Sequence, residues 1–366
     1  MAGRWRSAGS SWASEVRVRG AATRPAAPGP ADAAPPRAGE GRGRLFFLTG
    51  ATGFIGSRLA RRLLARGERV RCWARKTSRT AELERLGAEI VRGELQDVAA
   101  LAGALAGADV ACHLAAIYDV GVVDAAAMER TNVGGTRAFL EAIERAATPR
   151  ALYVSTTAAL GPVPEGVGDE STEHGPRYVS VYERTKTEAH RLARAAQARG
   201  LPLIVVCPAN VYGPGDAGPN GRYIRDLLRG RIPGLPLEPA WFSYVHVDDV
   251  VDGILRAADR AAPGSVYVLS GEDRSLDDFT KEVARLAGVR APRLRFPALA
   301  VRLTGALLDT VSRATGWRFP VTRESADFSL VGRVLHSHER ASRELGWQPR
   351  PLAEGLPETI AWFRGQ

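Results

Sequence analysis

From Leu45 onward, short apolar runs alternate with segments whose apolar and small residues recur three and four positions apart. The runs are LFFLTG, RVRCWA, EIVRGE, DVACHLAA, ALYVST, LPLIVVCP and SVYVLSG. Between them lie segments such as IGSRLARRLLARG, AALAGALAG, VGGTRAFLEAIERAA and ERTKTEAHRLARAAQARG. Apolar runs without polar alternation are strands covered on both faces, and the longer spacing gathers apolar residues on one side of a helix. The pattern predicts an α/β fold: a doubly wound parallel sheet of the Rossmann kind, with its ligand crevice at the carboxyl ends of the strands. After about residue 208 the alternation loosens into PANVYGPGDAGPNGRYIRDLLRGRIPGLPLEPAWFSYVHVDDV, which reads as loop-rich. Helices are expected at 276–288, 297–315 and 353–364, and a late strand at 265–270. Residues 45–208 are accordingly read as mainly cofactor-binding, and 209–366 as mainly a smaller lid that contacts substrate.

With 366 residues, 45% of them hydrophobic, the chain can bury a large core. Its net charge of +10 is unevenly spread. Residues 1–44 carry eight arginines against three carboxylates, giving +5, and the remainder carries +10 − 5 = +5. No basic face interleaved with aromatic residues is visible, so nucleic acid is not an expected partner. The Pro-, Ala- and Gly-rich residues 1–44 are read as a disordered basic tail outside the fold. They resemble an organellar transit peptide or follow from an early start assignment; a secretory signal would need an apolar stretch that they lack. Cys72, Cys112 and Cys207 each fall within an apolar run, without CxxC spacing, and are read as small buried side chains in a reducing, cytoplasmic setting, with neither disulfide nor metal. FPALAVRLTGALLDTV is interrupted by Arg302 and Asp309, which argues for a core-facing helix rather than a membrane span; peripheral contact with a membrane stays open.

LFFLTGATGFIGSRLARRLL reads as strand, glycine turn and helix, with Gly50, Gly53 and Gly56 at GxxGxxG spacing. Glycines let the backbone approach a pyrophosphate, and free amides at the helix start hold its charge. Gly50, Thr52, Gly53, Phe54, Ile55 and Gly56 are therefore candidate cofactor-binding residues. At the end of the second strand RCWARKTSR offers Arg75, Lys76 and Arg79 with no carboxylate, which favours the 2′-phosphate of NADP(H) over the free ribose of NAD(H). Asp97 is positioned to accept from the adenine amino group. HLAA, with Ala115, lets the nicotinamide ribose pass close, and His113 reads as a satisfied strand-end histidine.

Tyr182 stands four residues before Lys186 in YERTK, and the chain has only three lysines. TGATGFIG, Asp97, HLAA, TNVGGT, YVSTTAALG, YERTK, PANVYGPGD and VHVDDV follow one another in the order found in the extended short-chain dehydrogenase/reductase superfamily, which the chain resembles from about Leu45 to its end. It is most similar to the branch of dihydroflavonol reductases, 3β-hydroxysteroid dehydrogenases and hopanoid-associated epimerase-like proteins. The resemblance implies that Tyr182 is the general acid/base, that Lys186 supplies the cation and bridges the cofactor ribose, and that Thr156 holds the substrate oxygen, with Ser155 and Thr157 as alternatives. A free tyrosine is a poor base at neutral pH, so a cation one helical turn away makes chemical sense. Asn132 is implied as a support of the active-site helix or a proton relay, and Asn210 and Val211 as cofactor or substrate contacts. His246 is implied as structural, with Asp248 and Asp249 capping the following helix. Homodimer packing is common in the resembled superfamily.

Sugar-nucleotide members carry an arginine four residues before the histidine of HVDD; here that position is Phe242. Dehydratases need an Asp-Glu pair after the catalytic threonine, where this chain has Thr157 and Ala158. Trp241, Phe242, Tyr244 and Tyr118 suggest either an apolar pocket mouth or the lid's own core. The leading expectation is an NADP-dependent reductase or dehydrogenase of a ketone or secondary alcohol on a hydrophobic or polycyclic small molecule. A nucleotide-sugar epimerase using Arg222 and Arg225, or a non-catalytic NADP sensor or scaffold, are the alternatives.

Overall fold

A computed structural model describes residues 43–366 apart from Val122, Gly316, Arg318 and Pro320, and apart from the side chain of Arg313. The expected tail therefore lies, through residue 42, outside the described residues. Its last member, Arg44, belongs to the fold: its guanidinium meets Glu68 at 2.7 Å and Asp259 at 2.7 Å.

The first part of the chain alternates β1 (Leu45–Thr49), α1 (Phe54–Ala65), β2 (Arg69–Ala74), α2 (Ala81–Arg85), β3 (Glu89–Arg92), α3 (Val98–Leu105) and β4 (Val110–His113). It continues through α4 (Ala125–Glu129), a π-helical turn at Arg130–Gly134, α5 (Gly135–Arg145), β5 (Ala151–Val154), α6 (Val181–Ala198) and β6 (Leu203–Pro208). Then follow β7 (Asn210–Tyr212), α7 (Pro219–Leu228), β8 (Gly234–Pro236), β9 (Trp241–His246), α8 (Val247–Arg260), β10 (Val266–Leu269), β11 (Glu272–Ser275) and α9 (Leu276–Ala287). The chain ends with β12 (Leu294–Phe296), α10 (Ala298–Thr315), α11 (Arg323–Phe328), β13 (Arg333–Val334), α12 (Glu339–Leu345) and α13 (Leu352–Arg364).

Seven strands form one sheet in the order β10-β6-β5-β4-β1-β2-β3, every neighbouring pair parallel. The strand order reverses between β1 and β4, which opens the crevice where ligands bind in such sheets. The alternation of side chains along β1 divides the core. Phe46 and Leu48 pack with Leu59, Leu63 and Ile254 on one face, and Phe47 packs with Leu101, Phe139 and Ala189 on the other.

The stretch read as loop-rich holds β7, α7, β8 and β9. β9 pairs antiparallel with β11 and parallel with both β7 and β13, while β8 pairs with β12. These strands are short and their partners distant in sequence, so no local pattern announces them. Tyr244 stacks on Phe279 at 4.0 Å and Phe242 on Phe328 at 4.8 Å, forming a third apolar cluster that fixes the lid.

Candidate active site

β1 delivers the chain into the glycine turn at the crevice. Gly50 has φ +73°, and a Cβ there would lie 2.6 Å from the Ala115 amide nitrogen, so only glycine fits. The Gly53 amide closes the turn on the Gly50 carbonyl at 3.0 Å, and Gly53 is the N-cap of α1. No side chain caps that helix and its first turn has no acid, which leaves amides of Phe54, Ile55 and Gly56 free to hold an anion. These residues fit a dinucleotide pyrophosphate. They line a cavity of about 950 Å³ together with Thr52, Leu114, Ala116, Thr156, Tyr182, Lys186, Asn210 and Val211.

Arg75 and Lys76 are exposed on the turn after β2. Arg92 shapes that turn by donating to the carbonyls of Arg75 and Ser78, both at 3.0 Å. Asp97 is exposed and has a structural duty beyond the one expected: it caps α3, accepting from the Ala100 amide at 3.0 Å. The Ala115 amide donates to the Thr49 hydroxyl at 3.3 Å, which presses this backbone against Gly50. His113 is fully buried between the Thr49 and Thr136 hydroxyls at 2.7 and 3.2 Å, and burial pushes its pKa down to about 3. All three cysteines are buried, with their thiols pushed up to about 12 by burial.

α6 carries both Tyr182 and Lys186 into the cavity. Ser180 is its N-cap, accepting from the Glu183 amide at 3.0 Å, and Glu183 returns a carboxylate to the Val179 amide at 2.6 Å. The SxxE spacing of Ser180 and Glu183 was a readable start signal for this helix, and both residues also line the cavity. Tyr182 is half-buried. Burial pushes its phenol up to about 12, against a hydrogen bond with Thr156 that favours the phenolate. Of the three candidate hydroxyls, Ser155 is engaged with His190 at 2.9 Å and Thr157 is buried, so Thr156 is the one that meets Tyr182.

Lys186 is buried one turn along α6 from Tyr182. Its ammonium donates to the Tyr153 hydroxyl at 3.0 Å and the Val154 carbonyl at 2.9 Å, anchoring on β5 rather than on Tyr182. Burial pushes its pKa down to about 7. The π-helical turn before α5 presents Asn132, whose side chain accepts from the Ile117 amide at 2.8 Å and donates to the Ile117 carbonyl and the Thr185 hydroxyl. Every polar atom of that amide is thus used in bracing the loop after β4 against α6.

Towards the lid, the Tyr118 ring lies 4.6 Å from that of Tyr182, and Phe242 lines the cavity. Tyr244 belongs to the lid core, and Trp241 is exposed beneath the Arg333 guanidinium. Arg222 is held by Asp119 at 2.5 Å, and Arg225 stands 3.8 Å from Asp226. Phe328, Val331, Val334 and Trp362 also line the cavity, although they lie far along the chain from the motifs and no sequence signal marks them. His246, not Asp248 or Asp249, is the N-cap of α8, accepting from the Asp248 amide at 3.3 Å. The helix begins at Val247, which moves both aspartates into its first turn, where Asp248 pairs with Arg58 and Asp249 with Arg350.

A parallel sheet with a glycine turn at its switch point, and a Tyr–Lys helix across the crevice, define an NAD(P)-dependent oxidoreductase of the short-chain dehydrogenase/reductase type. Residues 46–270 match the NAD dependent epimerase/dehydratase family, and the chain belongs to that family. It is 32% identical over 326 residues to the sterol demethylase protein B of Methylococcus capsulatus, covering 87% of this chain and 98% of the relative. It is also 32% identical to the 4-hydroxy-2-methyl-3-oxo-4-farnesyl-3,4-dihydroquinoline-1-oxide ketoreductase of Stigmatella aurantiaca, over 83% and 92% of the two chains. Among solved structures, that of gox2253 superposes with a TM-score of 0.74 at 35% identity, covering 88% of this chain and 98% of the other.

Proposed function

We propose that the protein interconverts a ketone and a secondary alcohol on a hydrophobic or polycyclic small molecule with NADP(H), using Thr156, Tyr182 and Lys186 as catalytic residues. The observation that carries the substrate class is Phe242, which stacks on Phe328 at the cavity wall where an arginine would be needed for a nucleotide diphosphate. Arg222, the nearest alternative cation, is already paired with Asp119. A relative named as a ketoreductase of a farnesylated quinoline oxide and another named for sterols support the same class. Arg75 and Lys76, with no carboxylate on their turn, support NADP(H).

A nicotinamide held in this cavity would supply or accept the hydride. The free amides of Phe54, Ile55 and Gly56 would hold the diphosphate charge, and the guanidinium of Arg75 and ammonium of Lys76 would meet the 2′-phosphate. Thr156 and Tyr182 together hold the substrate oxygen. Because its pKa is pushed up, Tyr182 is a phenol at neutral pH, ready to donate its proton to the oxygen that gains charge during reduction. In the oxidative direction the phenolate must be stabilised by added positive charge. Lys186, whose pKa burial pushes down to about 7, is the cation that this chain supplies.

The test is a screen of NADPH oxidation over steroid ketones, dihydroflavonols, small aldehydes and nucleotide sugars. Tyr182→Phe should lower turnover of the best substrate by roughly 10²–10⁴-fold, the usual scale for a lost general acid. Full activity in that variant would refute the mechanism, and a nucleotide sugar as best substrate would refute the substrate class.

A further inference from the structure

The six most exposed large apolar side chains among the described residues lie in one region of the lid. They are Leu237, Leu294, Leu299, Leu303, Leu307 and Trp317, at 58% to 71% exposure. Leu237 and Leu294 sit on the paired β8 and β12 segments, where the Leu237 amide donates to the Phe296 carbonyl at 2.9 Å. Leu299, Leu303 and Leu307 follow at four-residue intervals on α10, which places them in one stripe along the helix. The other side of α10 is closed by packing. A Cβ on Gly305 would lie 2.8 Å from both the Ala326 Cβ and the Thr322 carbonyl oxygen of the neighbouring α11 segment. Val301, one turn before Gly305 on that inner side, lines a second cavity of about 790 Å³ with Ala300, and Val120 borders both this cavity and the one that holds Tyr182. α10 thus buries one face in the lid and turns a leucine face outward, which is unusual for an ordinary surface helix.

The charge around the stripe identifies its partner. Residues 289–308 contain Arg290, Arg293, Arg295 and Arg302 and no carboxylate, so this run supplies +4 of the +5 carried by residues 45–366. Arg295 is paired with Asp277 and Arg302 with Asp327, whereas Arg290 and Arg293 are exposed with no carboxylate partner among the described residues. Glu238 and Asp309 are the acids at the margins in sequence. A second copy of the chain would bring arginines against arginines, which opposes association. An anionic lipid surface satisfies both features: leucines enter the boundary of the acyl chains while arginines meet phosphate.

We propose that this face of α10, with β8 and β12, docks on a bilayer that contains anionic phospholipid. The full chain is tested by co-sedimentation with vesicles of phosphatidylcholine alone and of phosphatidylcholine with phosphatidylglycerol. Binding is expected to the anionic vesicles. Leu303→Glu combined with Leu307→Glu is expected to weaken it by at least about tenfold, since both apolar insertion and charge are lost. The basic N-terminal tail is unchanged in that variant, so attraction by the tail alone would leave binding intact and would overturn the proposal. Both positions are exposed, and an unchanged melting temperature shows that the fold has survived. Absence of binding to anionic vesicles, or a dimer dissolved by the same substitutions, would also overturn it.

Discussion

In the central sheet, Phe46 and Phe47 turn to opposite faces and find helices, most of them on the segments that connect one central strand to the next. In the lid, Phe242 is flanked in its sheet by Arg274 and Val334, and its ring stacks on Phe328. The first region is built by repeating a local unit, strand then helix, whereas the second closes only when distant segments meet. Loop closure makes such contacts costly to form and leaves them free to vary without disturbing the platform below. On the proposed function, cofactor chemistry would therefore rest on the part with the most redundant support, and substrate choice on the part with the least.

The sharpest way to break this contrast is acid. His113 and His190 are pushed down to about 3 and about 4 by burial in the platform, and His336, on the segment after β13, to about 4. Each binds its proton more readily unfolded than folded, so stability is lost as pH falls from about 6.5 towards 4. At pH 5 the loss is about 2 kcal/mol per histidine and roughly 6 kcal/mol together, comparable with the whole stability of many domains. Urea unfolding at pH 7 and pH 5 should show the difference, with His113 and His190 together contributing about twice what His336 does. Both ring nitrogens of His336 lack a hydrogen-bond partner, so His336→Gln should keep the fold and remove about a third of the acid loss. Equal curves at the two pH values would show that these histidines are not held neutral.

A smaller effect separates cofactor choice from substrate choice. Replacing Arg75 and Lys76 by serine should weaken NADPH roughly tenfold to a hundredfold while leaving NADH within about twofold, since only charge-assisted bonds to a 2′-phosphate are lost. Direct titration measures it, and an equal loss for both cofactors would place these side chains outside the cofactor's reach.

All seven central strands were legible because each carries a short apolar stretch in alternation with helical segments, although arginines interrupt β2 and only Ile90 and Val91 are apolar in β3. The late helices at 276–288, 297–315 and 353–364 were also legible, within one residue at each end, from their apolar spacing. β11 and β13 were not, because EDRS and RV contain no strand signal of their own and depend on β9 as a template. Within the site, the order of motifs pointed to Thr156, Tyr182 and Lys186 but not to the anchoring of Lys186 on Tyr153 and Val154. That arrangement depends on how β5 passes under α6, which no spacing within α6 encodes. The same limit explains the α8 cap: DD after VH reads as a capping pair, but the last β9 pairing carries the strand to His246.

The two regions are joined at Glu324, which offers the finest test of how separate they are. From α11 in the lid, its carboxylate accepts from the Val181 amide at the first turn of α6 and from the Gly121 amide on the loop after β4, both at 3.0 Å. A carboxylate at a helix N-terminus is favoured by the helix dipole as well as by the hydrogen bond. Glu324→Ala should lower stability by about 1–2 kcal/mol, because two part-buried amides lose their acceptor. Tyr182 is the residue after Val181, so on the proposed function loosening this end of α6 would disturb the group that meets the substrate oxygen before it reaches the glycine turn. The KM for substrate should consequently rise a few-fold while the KM for NADPH stays near its original value. If both constants rise together, the lid and the platform act as one unit, and the division of labour between them does not hold.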